Sequence, residues 1–142
     1  MNDLLSLRDE PEFSPYYKTL DQEDFVVYKD TRNLMLQSPS LAKIQIEFGK
    51  TVFCDSTFFI APKFAYQVYI TRVFSDVTNS YYTTSFSIMS GKNINDYFKI
   101  FSELHKNLQK YNKIGDTYEI AEFHTDFESA ISEGCKKVYP NI

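Results

Sequence analysis

Thr51-Val-Phe-Cys-Asp-Ser-Thr-Phe-Phe-Ile60 is an apolar segment rich in aromatic and β-branched residues, and it carries one aspartate, Asp55, near its middle. This composition favours a β-strand. A second segment, His124-Thr-Asp-Phe-Glu128, places Asp126 at the end of another apolar stretch, 71 positions after Asp55. If the two strands lie side by side, their carboxylates converge on one spot, an arrangement that serves divalent metal and phosphate chemistry.

The length and composition indicate one domain with a real core. The chain has 142 residues, of which 43% are hydrophobic and 17% aromatic, so it is not a disordered sequence. Its net charge is −4, whereas a nucleic-acid-binding surface needs clustered lysine and arginine. The sequence therefore predicts no basic patch, and a domain of this kind acts on DNA only if other domains hold the substrate.

The two cysteines, Cys54 and Cys135, have no CxxC spacing, so neither a zinc site nor a disulfide framework is expected. We interpret them as reduced, buried thiols. No apolar run approaches the roughly 18 residues of a membrane span. The N-terminus lacks the basic start and apolar stretch of a signal peptide. We therefore expect an intracellular protein, in the nucleus or the cytoplasm, with no membrane partner.

The pattern along the chain predicts an α/β fold. Residues 1–24 are interpreted as a loose lead-in and residues 25–142 as the domain. The predicted elements are short strands at 25–28 and 34–37, a helix at 41–48 capped by Ser38 or Ser40, strands at 51–60, 66–74 and 81–90, a helix at 94–111 capped by Asn93, a strand at 118–123 and a helix from about 128 to 139.

Short links between the three central strands predict an antiparallel meander. The helix at 94–111 is long enough to return the chain, and a right-handed crossover places the strand at 118–123 parallel to the strand at 51–60. The predicted fold is thus a mixed sheet with packed helices, in which Asp55 and Asp126 lie on adjacent strands.

Asp55 and Asp126 are candidate ligands of a hard cation such as Mg²⁺, which prefers oxygen. Asp55 is the stronger candidate, because aspartate is disfavoured in strands and a carboxylate flanked by apolar residues costs stability unless it is paired or metal-bound. An alternative stays open for the second segment. Thr125-Asp-Phe-Glu128 matches a capping box at the start of the last helix, and Asp126 would also favour the positive end of that helix.

Other polar and aromatic side chains are assigned to packing or solvent. His124 is interpreted as a partly buried structural histidine and His105 as a solvated residue on the helix at 94–111. The tyrosines of the predicted sheet are interpreted as packing residues rather than a base-stacking platform; they are Tyr66, Tyr69, Tyr81 and Tyr82.

Four blocks of the sequence resemble segments of one transposase family. Phe53-Cys-Asp-Ser-Thr-Phe58, followed by Ala61-Pro-Lys-Phe64 and Tyr66-Gln-Val-Tyr69, resembles the DGTF…P..F.QLY stretch of Mutator-like (MULE) transposases. Ser87-Ile-Met-Ser-Gly-Lys92 resembles their ALMTGK run. Thr125-Asp-Phe-Glu-Ser-Ala130, followed by Val138-Tyr-Pro-Asn141, resembles TDFE.A…FP.A. Each block alone is weak, but all four occur in order within residues 25–142.

The resemblance implies a ribonuclease-H-like fold and a DDE-type catalytic core, which uses Mg²⁺ or Mn²⁺ to cut DNA and join its ends. By position, Asp55 and Asp126 would be the first two catalytic, metal-binding acids. Glu128 lies in a matched block but is not carried over as a ligand. Ser56 stands where the family has glycine. The family's fifth strand, third acidic residue and N-terminal zinc-containing DNA-binding module have no counterpart in this sequence.

We therefore expect a partial, C-terminally truncated MULE transposase domain that binds metal weakly and transfers no DNA strand by itself. The alternative is a non-catalytic, transposon-derived protein-interaction domain. It would self-associate through the strand at 118–123, because truncation would leave that strand as an exposed sheet edge. A different ribonuclease-H-like nuclease or a retroviral-type integrase fits the predicted fold but not the four blocks.

Overall fold

The computed structural model describes residues 18–58, 61–113, 115–126 and 128–142. Most of the predicted lead-in, residues 1–17, thus lies outside the described residues. The helices and strands of the described part are β1 Val26–Lys29, β2 Asn33–Leu36, α1 Pro39–Phe48, β3 Thr51–Thr57, β4 Gln67–Ser75, β5 Ser80–Met89, α2 Ile94–Tyr111, β6 Glu122–His124 and α3 Ser129–Lys136.

The strands form one mixed sheet in the order β1-β2-β5-β4-β3-β6. Neighbouring strands are antiparallel except for β3 and β6, which run parallel. This order confirms the predicted meander of β3, β4 and β5 and the parallel strand beside β3. The two short strands are also confirmed, and they extend the same sheet, because β2 pairs with β5.

The three helices cover one face of this sheet. Buried apolar residues of all three helices belong to the same cluster as the inward-facing residues of the strands, among them Val52 and Cys54 of β3 and Tyr69 of β4. Phe101 of α2 lies at the centre, with its ring 6.0 Å from the ring of Tyr69 and 5.3 Å from that of Phe123. In the described part of the chain, no helix covers the opposite face.

The helix caps follow the local sequence. Asn93 accepts a hydrogen bond from the backbone of Asp96, and the Asp96 carboxylate accepts one from the backbone of Asn93, so α2 begins with a capping box. Ser38, rather than Ser40, caps α1 by accepting from the backbone N–H of Leu41. None of the helices in the described residues has the length and apolar character needed to cross a bilayer.

Two predicted strands are shorter in the structure, and the last helix ends at Lys136 rather than near residue 139. The strand at 118–123 is limited to Glu122–His124, because Tyr118 is engaged elsewhere: its N–H donates to the Gln109 side chain and its hydroxyl to the carbonyl of Gly49. The strand at 51–60 ends at Thr57, and residues 59 and 60 lie outside the described part. Tertiary contacts, which local patterns do not reveal, decide the first of these differences.

The cysteines are confirmed as buried free thiols. Burial raises the pKa of Cys135 to about 12 and that of Cys54 well above its ordinary value. Because the thiolate is the reactive form, both side chains are inert at neutral pH. They act as small apolar residues that fill the space between β3 and α3.

His105 is not the solvated residue that the sequence predicted. It is partly buried on α2, and its Nδ1 lies 3.1 Å from the hydroxyl of Tyr139, within hydrogen-bonding distance. Burial lowers the pKa of His105 below its ordinary 6.5. The folded protein therefore favours the neutral imidazole.

This burial predicts a loss of stability in mild acid. Below about pH 6.5 the unfolded chain binds a proton at His105 that the folded chain resists, so the free energy of unfolding falls as the pH falls towards the lowered pKa. Above that range the contribution is constant. Urea unfolding from about pH 5 to about pH 8 should show a shallower pH dependence for His105→Gln than for wild type. Equal slopes would contradict the prediction.

Candidate functional site

The alignment of β3 with β6 decides where the two candidate aspartates lie. The aligned residues are Thr51 with Glu122, Val52 with Phe123 and Phe53 with His124. Each pair is 71 residues apart, and the same offset separates Asp55 from Asp126. β6 ends at His124, so Asp126 lies two residues beyond the ladder. If the same register continued, Asp126 would lie opposite Asp55, at the spacing of about 4.8 Å that separates adjacent strands. The register is the one that the predicted convergence requires.

Both aspartates lie on the sheet face away from the helices. Cys54 is buried in the core and Asp55 is exposed, as expected for the alternating sides of a strand. Beyond β6 the alternation continues, since the hydroxyl of Thr125 is buried and Asp126 is exposed. The inference that Asp55, flanked by apolar residues, must be paired or metal-bound to avoid a cost in stability is therefore wrong. Its apolar neighbours along the chain alternate between the two faces, and its carboxylate reaches solvent.

Aromatic rings lie beside Asp55 on the open face. The His124 ring stacks on Phe53, with centroids 4.9 Å apart and planes 19° from parallel. Phe53 meets Tyr81 edge to face at 5.4 Å, and the guanidinium of Arg72 lies 5.5 Å from the centre of the Tyr81 ring. These contacts join the side chains of β6, β3, β5 and β4 into one row.

The structure corrects the interpretations of His124 and Tyr81 made from the sequence. His124 is exposed, not partly buried, because it lies on the face that no described helix covers. Tyr69 is a packing residue, as predicted, whereas Tyr81 is 51% exposed although it packs against other rings. The period of a strand predicts which residues share a face, but it does not predict which face is covered.

Glu128 is held by α2 rather than by a capping box. It occupies the position before α3, yet its side chain makes no cap hydrogen bond, and Thr125 lies too early in the chain to cap that helix. The Tyr97 hydroxyl donates to Glu128 at 3.3 Å, and the ammonium of Lys92 lies 3.8 Å away. The capping-box alternative is therefore wrong, because these two distant partners attract the carboxylate.

Tyr97 holds the Glu128 carboxylate in place, an interaction that the sequence did not predict. It is fully buried, and burial raises its pKa to about 12, so it remains a neutral hydrogen-bond donor. Gln67 of β4 donates to the same hydroxyl at 2.9 Å. The hydrogen bonds of the Tyr97 hydroxyl thus connect the segment after Asp126 to β4 and to α2.

The described residues of the site offer two carboxylates rather than a closed set of metal ligands. Among the described residues, no group of three or more histidine, cysteine, aspartate or glutamate side chains is placed to hold a metal ion. Mg²⁺, however, is commonly bound by one or two carboxylates, with water and substrate phosphates completing its shell. The exposed carboxylates of Asp55, on β3, and of Asp126, just after β6, are oxygen ligands of that type.

Comparisons with known proteins do not place the chain in a family. No protein-family model, no curated protein and no solved structure matches it. The observations that bear on its function are the register of β3 and β6, the exposure of the two aspartates and the four sequence blocks.

Proposed function

We propose that this chain is a partial catalytic domain of a DDE-type, Mutator-like transposase, in which Asp55 and Asp126 bind Mg²⁺ or Mn²⁺. The observation that carries the proposal is the common offset of 71 residues, which directs Asp126, two residues beyond the end of β6, towards Asp55 of the parallel strand β3. The order β5-β4-β3-β6 supports a ribonuclease-H-like fold, since a three-stranded meander with a parallel strand beside its first member is the arrangement expected for it.

The proposed chemistry is phosphodiester cleavage and strand transfer on DNA. A bound divalent metal would neutralise charge on the phosphate oxygens. Asp55 is held in position by a strand that has neighbours on both sides, β4 and β6. Asp126 follows the short edge strand β6, and the bond from Tyr97 to Glu128 anchors the chain just after it. Both carboxylates face solvent, so a DNA strand would reach them without any opening of the core.

Weak Mn²⁺ binding that needs both aspartates is the expected result of a metal titration. Asp55→Asn and Asp126→Asn keep the size of each side chain and remove its charge, and each should weaken binding by at least about tenfold. Isothermal titration or the electron paramagnetic resonance signal of free Mn²⁺ would measure this. Asp76→Asn, in the exposed turn between β4 and β5, is the matched control and should bind as wild type does. Equal binding by all four proteins would refute the proposed site.

The same variants decide whether the chain is active alone. We expect negligible DNA cleavage and strand transfer, because the described residues contain no third ligand beside the pair and the net charge of −4 disfavours DNA binding. Incubation with labelled DNA ends and Mn²⁺ would detect any product. Cleavage that disappears in Asp55→Asn would disprove the expected inactivity while supporting the assignment of the site.

A second candidate is a non-catalytic, transposon-derived interaction domain. The observation that favours it is the position of β6, which forms one edge of the sheet in the described part of the chain. Exposed sheet edges pair readily with strands of other chains. The titration separates the two candidates, because an interaction domain would bind Mn²⁺ no better than Asp55→Asn does.

A further inference from the structure

β6 borders an open groove in the described structure. The groove has a volume of about 490 Å³ and is lined by β6 itself, by Ser132 and Lys136 of α3 and by Ile142. Glu122 and His124 are exposed, and Phe123 is partly buried against Phe101. One side of β6 therefore has no neighbouring strand among the described residues, and solvent reaches it.

The backbone of β6 specifies how a further strand would bind. In a parallel ladder, alternate residues direct both their N–H and C=O groups to the same neighbour. Glu122 donates its N–H to the carbonyl of Lys50 at 3.0 Å, so Glu122 and His124 face β3. Phe123 then directs its N–H and C=O outward. An antiparallel strand would form its pair of hydrogen bonds at this residue.

We propose that two copies of this chain associate through β6, antiparallel and about a twofold axis at Phe123. A twofold interface must be complementary to itself. In this pairing Phe123 faces the partner's Phe123, and Glu122 faces the partner's His124 on both sides of the axis. An imidazole N–H donates to a carboxylate, and opposite residues on antiparallel strands interact directly. A twofold axis at Phe123 thus pairs each glutamate of Glu122-Phe123-His124 with a histidine of the other chain.

Twofold axes at the other residues of β6 give less complementary pairs of side chains. A twofold axis at Glu122 would bring two carboxylates together, and an axis at His124 would bring two imidazoles together. Both residues also direct their N–H groups towards β3 rather than outward. The pairing at Phe123 uses neither Asp55 nor Asp126, because these residues belong to none of its three central pairs. The interface is small, so a weak, concentration-dependent dimer is expected.

The test is sedimentation equilibrium of the full chain over a range of concentrations. Wild type should shift from 16.6 kDa towards twice that mass. Glu122→Lys sets a cation opposite the partner's His124, and His124→Glu sets two carboxylates opposite each other. Each variant alone should dimerise about tenfold more weakly. An equimolar mixture of the two should regain association, because the new lysine of one chain faces the new glutamate of the other.

Glu47→Lys on α1 makes the same charge change away from β6 and should leave the association unchanged. The three substituted side chains are exposed, and circular dichroism would verify that the fold is retained. A chain that stays monomeric at every concentration would overturn the proposal. So would a dimer that neither variant weakens, or a mixture that does not regain association.

Discussion

Replacing Gly134 with alanine is expected to lower the free energy of unfolding by about 2 kcal/mol, although alanine normally stabilises a helix relative to glycine. Gly134 is buried where α3 crosses α2. A Cβ atom at this position would lie 2.6 Å from the Cβ of Tyr97 and 2.9 Å from the backbone nitrogen of Phe98. Neither contact is with the flexible end of a side chain, so the two helices must separate.

Equilibrium urea unfolding measures this effect. Glu133→Ala, the adjacent exposed position on α3, is the matched control and should change stability by less than about 0.5 kcal/mol. A Gly134→Ala protein as stable as wild type would show that α2 and α3 do not approach as closely as described. Gly134→Val adds two more methyl groups to the same contact and should be more destabilising than alanine.

Asp96→Ala is expected to cost about 3 kcal/mol, because one carboxylate performs two tasks. Its oxygens accept from Nε and Nη2 of Arg32 at 2.8 and 2.9 Å, and one of them also accepts from the backbone of Asn93. The carboxylate is almost fully buried, whereas the Arg32 side chain is 51% exposed. Because Arg32 is half exposed, solvent weakens its ion pair with Asp96. The lost helix cap therefore accounts for the remainder of the expected loss in stability.

A double-mutant cycle separates the two tasks of Asp96. Once Asp96 is absent, Arg32 has lost this partner, so the double variant Arg32→Ala/Asp96→Ala should be about as stable as Asp96→Ala alone. Arg32→Ala alone should cost less than Asp96→Ala, since it leaves the capping box of α2 in place. Chemical unfolding of the four proteins gives the coupling. Additive effects would show that the two side chains act independently.

Elements with strong periodicity were predictable from the sequence. The bounds of α2 follow from a stripe of apolar residues, including Tyr97, Phe101 and Leu104, and from the cap pattern of Asn93 and Asp96. The order β5-β4-β3-β6 followed from link lengths and crossover handedness, whereas the position of β1 and β2 beside β5 was not predicted. The side-by-side placement of β3 and β6 therefore needed no knowledge of individual contacts.

The parts that were not predictable depend on residues far apart in the chain. Asp96 is 64 positions from Arg32, and Glu128 is 31 positions from Tyr97. Near its own helix, Glu128 matched a cap as well as it matched any other role, and only the fold brings Tyr97 to it. The exposure of Asp55 was missed for a related reason, because alternation assigns sides but tertiary packing decides which side is covered.

β6 has only three residues and lies at an edge of the described sheet. Short peripheral elements open locally with far less free energy than the whole domain requires. Each such opening would carry Asp126 away from Asp55 while β3 stays in place between its neighbours. At the proposed metal site, the affinity for a cation would therefore be the intrinsic affinity reduced by the fraction of molecules in which β6 stays paired with β3. Any contact that keeps β6 paired with β3, including association with a second molecule, would strengthen cation binding at the proposed site by linkage.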